Sequence, residues 1–267
     1  CDEAKTLSGA STVRLRNFFE TQFAPFLLTQ PDASTQGLVT GYYEPLLRGS
    51  RTQSTKFAQP VLGVPPDLLT IDLSDVLPDL KNMRLRGRLQ GNKVVPYYSR
   101  AEIVGRQGEH SEPVGKVLLW VDDPIELFFL QIQGSGRVRL PDGKLVRIGY
   151  ADQNGHPYRS IGRVLIERGD LKPEEASMQG IQAWARANPA RLDELLNANP
   201  SYVFFRELPP SGKDGDGPLG ALGVPLTAGR SIAIDPRHVP LGAPVFLSTT
   251  QPNSDTPLRR LMLAQDT

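Results

Sequence analysis

The chain has 267 residues and carries 30 Lys and Arg side chains against 29 Asp and Glu, which gives a formal net charge of +1 at pH 7. Hydrophobic residues make up 39% and charged residues 22%, ordinary values for a globular protein that argue against disorder or a coiled coil. The balanced charge leaves no basic footprint for nucleic acid, and no apolar run approaches the roughly 20 residues that span a bilayer.

The first predicted element is an amphipathic helix over residues 13–29, because apolar residues such as Phe19 and Phe23 recur at helical spacing. Pro25 is expected to end or kink this helix. Residues 37–45 form a β-branched and aromatic run closed by a proline, which predicts a strand.

Residues 46–115 alternate short apolar runs with glycine and proline, a texture that predicts a small all-β unit with long loops. Further apolar runs lie at 117–120 and 125–132. Asp142 and Gly143 separate two more short apolar runs and predict a β-hairpin, because glycine supplies the positive φ that a tight turn needs.

From residue 160 the apolar period becomes helical, and three helices are predicted, with Gly169 ending the first and Pro189 following the second. Their apolar stripes cover residues 161–166, 177–184 and 192–196. A buried strand is expected at 202–205, and residues 209–217, which lack large apolar side chains, are the best linker candidate. Short strands are predicted at 231–234, 244–247 and 261–264.

Cys1 is the only cysteine, which excludes an intrachain disulfide and a cysteine-based zinc site. It has two interpretations: the lipidated first residue of a mature lipoprotein, or an internal position of a longer chain. We favour the second, because a lipid anchor usually needs a flexible tether and a helical pattern begins almost at once. The strand predicted at 261–264 stands almost at the end of the sequence, which we interpret as an indication of a partial sequence.

The histidines do not predict a metal site, because His110, His156 and His238 lack the short spacing that zinc ligands usually show. The sequence also lacks a nucleophile elbow, a phosphate-binding loop and a dinucleotide-binding fingerprint. The sequence therefore contains no motif that indicates hydrolase chemistry, nucleotide binding or metal binding.

Amide side chains provide the main chemical signal. Gln131, Gln133 and Ser135 alternate with smaller or apolar residues, which on a strand places three polar side chains on one face. Amides hydrogen-bond to hydroxyl and N-acetyl groups, and nearby aromatic rings stack on pyranose faces, so this face indicates a glycan site. The alternative is a set of polar turns and capped strand ends. Four carboxylates are acid-catalyst candidates: Glu44, Asp152, Asp235 and Asp266.

Several blocks of sequence, taken in order, resemble one family. They are TGYYEP at 40–45, ELFFLQIQGSG at 126–136, GYADQNGHPYRSIG at 149–162, NPSYVFF at 199–205, AIDPR at 233–237 and AQDT at 264–267. On these blocks the chain resembles the membrane-bound lytic murein transglycosylase A family, from about Thr40 to its last residue.

The resemblance implies a mainly β protein with some α, in which a double-psi β-barrel domain and a smaller, inserted, mostly β domain flank a groove. The barrel domain would comprise residues 1–46 and 208–267, incomplete at its C-terminus, and the inserted domain residues 47–207. The groove would bind a peptidoglycan strand. The family cleaves the β-1,4 bond between N-acetylmuramic acid and N-acetylglucosamine without water and leaves a 1,6-anhydromuramic end, using one carboxyl group and no cofactor or metal.

By the same resemblance, Thr40, Asp235 and Asp266 match residues of the family's active site. The principal acid/base aspartate would lie beyond Thr267, so Asp266 is expected to support it; a purely structural role for Asp266 is the alternative. Six further residues are expected to bind the glycan: Tyr42, Glu44, Gln131, Gln133, Ser135 and Asp152.

Two other functions stay open at this point: a non-catalytic glycan-binding module, and a hydrolytic glycosidase that uses Glu44 and Asp266. The expected partners are peptidoglycan strands and cell-wall synthesis complexes, with no nucleic acid. The resemblance implies a periplasmic protein attached to the outer membrane as a lipoprotein, through a lipid anchor outside these residues.

Overall fold

The computed structural model describes residues 2–41, 43–80, 85–106, 113–209, 217–251 and 254–267. The chain forms two compact units, Cys1–Tyr42 and Tyr43–Thr267. Strands outnumber helices in the described residues. The protein is thus mainly β with some α, which confirms that part of the predicted fold class.

The first unit contains two helices, α1 (Asp2–Lys5) and α2 (Thr12–Gln22). The helix predicted at 13–29 is therefore shorter than expected, because the backbone becomes extended at Phe23. Pro25 explains this end, since a proline ring disfavours the helical conformation in the residue before it.

The strand predicted at 37–45 is wrong within the described residues, which form no regular element there. Leu38 and Val39, the apolar side chains of this segment, are 93% and 49% exposed. A β-prone run becomes a strand only where a neighbouring strand pairs with it and covers its side chains. The first strand begins instead at Leu46, directly after Pro45.

The second unit contains twelve strands and five α-helices in its described residues. The strands are β1 (Leu46–Ser50), β2 (Gln59–Leu62), β3 (Leu69–Ile71), β4 (Leu85–Gln90), β5 (Lys93–Pro96), β6 (Val117–Val121), β7 (Ser135–Arg139), β8 (Leu145–Gln153), β9 (Val203–Leu208), β10 (Ser231–Ala233), β11 (Pro244–Thr250) and β12 (Pro257–Asp266). The helices are α3 (Arg100–Gly105), α4 (Pro124–Gln133), α5 (Ile161–Glu167), α6 (Met178–Ala187) and α7 (Leu192–Asn197).

Six strands form the main sheet, in the order β2-β6-β1-β7-β8-β9. Strand β1 runs antiparallel to β6 and parallel to β7. Gly49 stands in β1 where a Cβ atom would lie 2.7 Å from the carbonyl oxygen of Trp120. A side chain at this position would force the neighbouring strands apart, so the close approach requires glycine.

Helix α4 stands where a strand carrying a polar face was predicted at 131–135, and that prediction is wrong. The Asp123 side chain caps the helix by accepting two backbone hydrogen bonds, and Gly134 ends it with a φ of +78°. The 10 residues between these signals complete almost three helical turns. Gln131 and Gln133 therefore do not share a face, because residues two apart on a helix point to nearly opposite sides.

Helix α4 is buried on two sides. On one side Leu130 joins the apolar cluster of the main sheet, which includes Ile148. On the other side Phe129 joins a cluster formed with helices α5 to α7, which includes Leu165 and Trp184. Each such buried side chain stabilises the fold by about 1.5–3 kcal/mol, so the position of α4 is firmly set.

Most of the remaining predictions are confirmed. Strands β7 and β8 form the hairpin, with Gly143 at a φ of +85°, and Gly169 follows α5 at a φ of +74°. Helices α5, α6 and α7 and strands β9 to β12 occupy the predicted segments. Most of the predicted linker, residues 210–216, lies outside the described residues.

Two smaller sheets complete the described structure. Strands β3, β4 and β5 form an antiparallel sheet, and β10, β12 and β11 form another in which β10 is parallel and β11 antiparallel to β12. The closed double-psi barrel stays a prediction. So does the division into residues 1–46 with 208–267 and residues 47–207.

Candidate active site

Two predicted catalytic aspartates lie at the same end of the β10-β12-β11 sheet. Ala233 of β10 stands opposite Asp266 of β12, and the Ile234 amide donates a hydrogen bond to the Asp266 carbonyl oxygen over 3.0 Å. Asp235 follows Ile234 directly. The parallel pairing of β10 and β12 thus brings the backbones of two aspartates that are distant in sequence to one end of the sheet.

The Asp266 side chain holds a backbone turn. Its Oδ1 accepts a hydrogen bond from the Ala221 amide at 2.9 Å, and the Leu222 amide donates to the Gln265 carbonyl oxygen at 3.1 Å. These bonds fasten the turn at 219–225 to the end of β12. Asp266 therefore holds this turn in the described structure; its supporting role in catalysis stays a prediction, with a purely structural role as the alternative.

Asp235 is bound by Arg237. The Arg237 Nη2 lies 2.6 Å from Asp235 Oδ2, its Nε lies 3.0 Å from Oδ1, and its backbone amide donates to Oδ1 at 2.9 Å. The hydrogen bonds from the guanidinium and then from the amide hold the pKa of Asp235 well below its ordinary value. A carboxylate that stays ionised at neutral pH has no proton to give to a leaving group.

We expect Arg237→Gln to raise the pKa of Asp235 toward its ordinary value, because the guanidinium hydrogen bonds are the largest cause of the lowering. A lowered carboxyl pKa stabilises the fold above the ordinary pKa, and this contribution is lost as the pH falls toward the lowered value. A carbon-13 NMR titration of the Asp235 carboxyl measures the shift, with Arg163→Gln as the control. An unchanged pKa in Arg237→Gln would contradict the assignment.

Three predicted site residues come from the first family block, at 40–45, and the structure places them differently. Thr40 is exposed and belongs to the first unit, and Tyr42 lies outside the described residues. The Glu44 side chain is 12% exposed, and its Oε2 lies 2.9 Å from Arg137 Nε in an ion pair. The Arg137 side chain thus provides a positive partner for the Glu44 carboxylate.

The amide-rich segment is arranged differently from the predicted polar face. Gln131 is only 5% exposed, whereas Gln133 is partly exposed at the last position of α4. Ser135 is the first residue of β7. The helix end and the start of a new strand separate these side chains, because Gly134 turns the chain between them.

Asp152 is bound inside the protein. It lies on β8, next to a bulge in the pairing of β8 with β9. Both carboxylate oxygens accept hydrogen bonds from Arg86 Nε, at 2.9 and 3.1 Å, and the two side chains are 18% and 13% exposed. This ion pair joins β8 to β4, so its first role is structural.

The sequence did not indicate the arginines that form ion pairs with these carboxylates. It also did not indicate one further acid, Glu126. Burial is the main cause that raises the pKa of Glu126, with Asp123 adding to it, and Gln182 Nε2 donates to Glu126 Oε1 at 2.7 Å. The Asp-Pro-Arg order at 235–237 could have indicated the Arg237 pair. Arg86 carries no local signal, because its partner is distant in sequence.

The described residues contain no group of three or more His, Cys, Asp or Glu side chains arranged to hold a metal ion. His156 Nε2 lies 2.7 Å from the Tyr97 carbonyl oxygen, and His110 lies outside the described residues. No helix in the described part of the chain has the length and apolar character needed to cross a membrane.

Comparison with known proteins gives consistent matches. The family model of the MltA specific insert domain matches residues 38–206, and that of the 3D domain matches residues 230–267. The membrane-bound lytic murein transglycosylase A of Escherichia coli K12 is 35% identical over 206 residues, which are 76% of this chain and 47% of that protein. The chain thus spans about half the length of the curated relatives it matches.

Two solved structures extend the match. The lytic transglycosylase LtgG of Burkholderia pseudomallei is 45% identical with a TM-score of 0.64, over 100% of this chain and 71% of that one. E. coli MltA with bound chitohexaose is 31% identical with a TM-score of 0.65, over 85% of this chain and 59% of that one. Because the insert-domain model covers more than half of the sequence, this chain belongs to the membrane-bound lytic murein transglycosylase A family.

Proposed function

We propose that the protein is a lytic transglycosylase that cleaves the β-1,4 bond between N-acetylmuramic acid and N-acetylglucosamine and forms 1,6-anhydromuramic ends. The observation that carries this proposal is the family match at 35% identity over 206 residues. The chitohexaose bound to the E. coli relative supports recognition of an N-acetylated β-1,4 glycan by this chain as well.

The proposed chemistry needs one carboxyl group that acts twice. Protonated, it donates to the glycosidic oxygen as the bond breaks; ionised, it takes the proton of the muramic 6-hydroxyl as that oxygen attacks the anomeric carbon. Asp235 does not fit the first step, because Arg237 keeps it ionised. Asp266 accepts a hydrogen bond from the Ala221 amide, so we assign it to positioning and propose that a different carboxyl group is the acid/base.

A hydrolase using Glu44 and Asp266 is less well supported. Ordinary glycosidases need two free carboxyl groups on either side of the scissile bond. Glu44 is 12% exposed and paired with Arg137, so it is not free to hold a nucleophilic water. The ion pair therefore favours the single-carboxyl mechanism.

We further propose that the glycan binds in a groove between a domain formed by residues 1–46 and 208–267 and a domain formed by residues 47–207. The candidate contacts stay those of the resemblance: Thr40, Tyr42, Glu44, Gln131, Gln133, Ser135 and Asp152. The relatives' membrane-bound character supports a periplasmic protein attached to the outer membrane as a lipoprotein, with peptidoglycan strands as its partner and cell-wall synthesis complexes as further candidates.

Product analysis tests the activity. Murein sacculi are incubated with the natural-length protein, the muropeptides are separated, and their molecular masses are measured by mass spectrometry. Products lighter by one water, with no reducing end, are expected from a transglycosylase. Reducing ends would instead indicate a hydrolase, and intact sacculi a binding module; either result would overturn the proposal.

We expect Asp266→Asn to reduce anhydro-product formation by about tenfold or less, because the Asn side-chain oxygen can still accept the Ala221 hydrogen bond. Asp266→Ala removes that acceptor and is expected to cost more. Loss of a general acid typically costs about 10²- to 10⁴-fold. Complete loss of product in a folded Asp266→Asn protein would show that Asp266 is the acid itself.

A further inference from the structure

The outer face of the main sheet is rich in arginine. Its strands alternate between this outer face and a buried face, which holds Leu47, Val138 and Ile148. Five arginines lie on the outer face of four neighbouring strands, β1, β7, β8 and β9: Arg48, Arg137, Arg139, Arg147 and Arg206. We call these five side chains the arginine face. With an interstrand spacing of about 4.8 Å, the arginine face is about 14 Å wide.

The strand register places these like charges side by side. Arg137 stands directly opposite Arg147 in the antiparallel β7-β8 pair, and Arg48 stands beside Arg139 in the parallel β1-β7 pair. Arg206 is the diagonal neighbour of Arg147 across the β8-β9 pair. Like charges on directly opposed residues destabilise a sheet, so a bound anion would stabilise this arrangement.

Two of the five arginines have acidic partners within the protein. Arg137 Nε lies 2.9 Å from Glu44 Oε2, and Arg48 Nε lies 2.9 Å from Asp122 Oδ2. The Arg48 side chain is nevertheless 72% exposed, and a guanidinium has five N–H donors, so it can also bind a second anion. The two carboxylates thus leave a positive excess on the arginine face.

The other three arginines have no acidic partner in the described part of the chain. Arg147 Nη2 donates to the Gly217 carbonyl oxygen at 3.1 Å, which is a neutral partner. Arg139 and Arg206 are exposed, and their guanidinium groups form no ion pair with the described residues. A guanidinium offers a planar pair of N–H donors that matches the two oxygens of a carboxylate. The arginine face therefore suits a ligand that carries several carboxylates.

The position of the arginine face on β7 indicates where such carboxylates come from. Ser135, a candidate glycan contact, precedes Arg137 by two residues on β7 and so lies on the same side of the sheet. A glycan strand held at Ser135 would bring its peptide substituents over the arginine face. An extended peptide advances about 3.3–3.6 Å per residue, so carboxylates two residues apart match the spacing of successive outward side chains on a strand.

We propose that the arginine face binds the free carboxylates of the peptides that murein strands carry, and that this chain therefore prefers strands with ionised peptides. Arg139 and Arg206 bind these carboxylates directly, because they are exposed. The proposal rests on the proposed function for the source of the peptides. It concerns the peptides and not the sugars, and none of the five arginines is a candidate glycan contact.

The double variant Arg139→Gln/Arg206→Gln tests the arginine face, because glutamine removes both charges at exposed positions. Binding of the natural-length protein is measured by cosedimentation at low temperature with native murein sacculi and with sacculi whose free carboxyl groups are converted to primary amides. We expect the parent to bind native sacculi at least about fivefold more tightly at about 0.01 M salt, since each exposed charge pair contributes a factor of up to about five. The variant is expected to lose this preference. Lys93→Gln/Arg163→Gln, which removes two exposed charges elsewhere, is the matched control and should keep it.

Salt provides a second measurement on the parent protein. The Debye length falls from about 30 Å at 0.01 M salt to about 3 Å at 1 M, so the preference for native sacculi should disappear at the higher concentration. A preference of unchanged size at 1 M salt would contradict recognition by charge. Circular dichroism checks the fold of each variant, and the single variant Arg139→Gln takes the place of the double variant if the latter does not fold.

Equal binding of native and amidated sacculi by the parent overturns the proposal, and so does a preference that survives in the arginine variant or that the control loses equally. Arginine-dependent binding to phosphatidylglycerol vesicles, without a preference between the two sacculi, would assign the arginine face to a lipid surface and also overturn it. Product analysis is separate. A protein that makes anhydro products without the preference keeps the proposed function and loses the peptide site, whereas a preference without anhydro products keeps only the peptide site.

Discussion

Asp152→Ala is expected to lower the free energy of unfolding by about 2–3 kcal/mol. The substitution leaves the Arg86 guanidinium, whose side chain is 13% exposed, without its carboxylate partner. Removing one member of a fully buried ion pair costs about 3–5 kcal/mol, and the residual exposure of this pair places it below that range. Urea denaturation followed by circular dichroism measures the change.

A double-mutant cycle shows whether the ion pair itself is responsible. Arg86→Ala should cost a similar amount, and the double variant Arg86→Ala/Asp152→Ala should cost little more than either single variant. Asp75→Ala, at an exposed position, is the control and should change stability by less than about 0.5 kcal/mol. Fully additive losses would show that Arg86 and Asp152 act independently. An Asp152→Ala protein of unchanged stability would contradict the structural role of Asp152.

Arg100→Met is expected to cost about 3 kcal/mol or more. The guanidinium donates to the carbonyl oxygens of Asn199 and Ser201, and it stacks on the rings of Phe128 and Tyr202 at 4.7 and 5.1 Å. Methionine fills much of the space but leaves both carbonyl groups without these donors, and each buried polar group left unpaired costs about 1–3 kcal/mol. Chemical denaturation measures the loss.

The buried charge of Arg100 does not change the expected loss of stability in Arg100→Met. Burial lowers the pKa of Arg100 to about 10, which still leaves the side chain charged at neutral pH. Arg163→Met is the control, since that side chain is 79% exposed and pairs with Glu167 on the surface of α5, where a pair contributes at most about 1 kcal/mol. Equal losses in the two variants would show that the buried contacts of Arg100 contribute no more than a surface ion pair.

Elements with local signals were predictable from the sequence. Ser160 and Ser177 cap helices α5 and α6, Gly169 follows α5 with a positive φ, and Gly143 lies in the predicted hairpin turn. These signals work because the capping or turn residue and the backbone groups it satisfies are only a few positions apart.

Helix α4 shows why other elements were not predictable. Its apolar run is buried against the main sheet on one side and against helices on the other, so it lacks the polar stripe that marks a surface helix. Such an apolar run is equally consistent with a buried strand. Asp123 and Gly134 were the local signals that could have decided between them.

The candidate site residues were proposed from the resemblance, whereas the side chains that pair with them could not be predicted. Asp235 and Asp266 were identified by resemblance, and the pairing of β10 with β12 brings them to one end of a sheet. That Glu44 and Asp152 are occupied by Arg137 and Arg86 depends on strand pairings between distant segments. No spacing rule along the chain carries that information.

The double pairing of β1 also bears on how the second unit folds. In the main sheet β1 alone joins the β2-β6 pair to β7, β8 and β9, and its Leu46 pairs in parallel with Arg137, far along the chain. The hairpin β7-β8 can form early, because its two strands are adjacent in sequence. The parallel pairing requires closure of a long loop. The chain loses conformational entropy on this closure before the new contacts stabilise the sheet. Assembly of the whole sheet is therefore a late and slow event, and until it occurs both edges at β1 stay open to pairing with other chains.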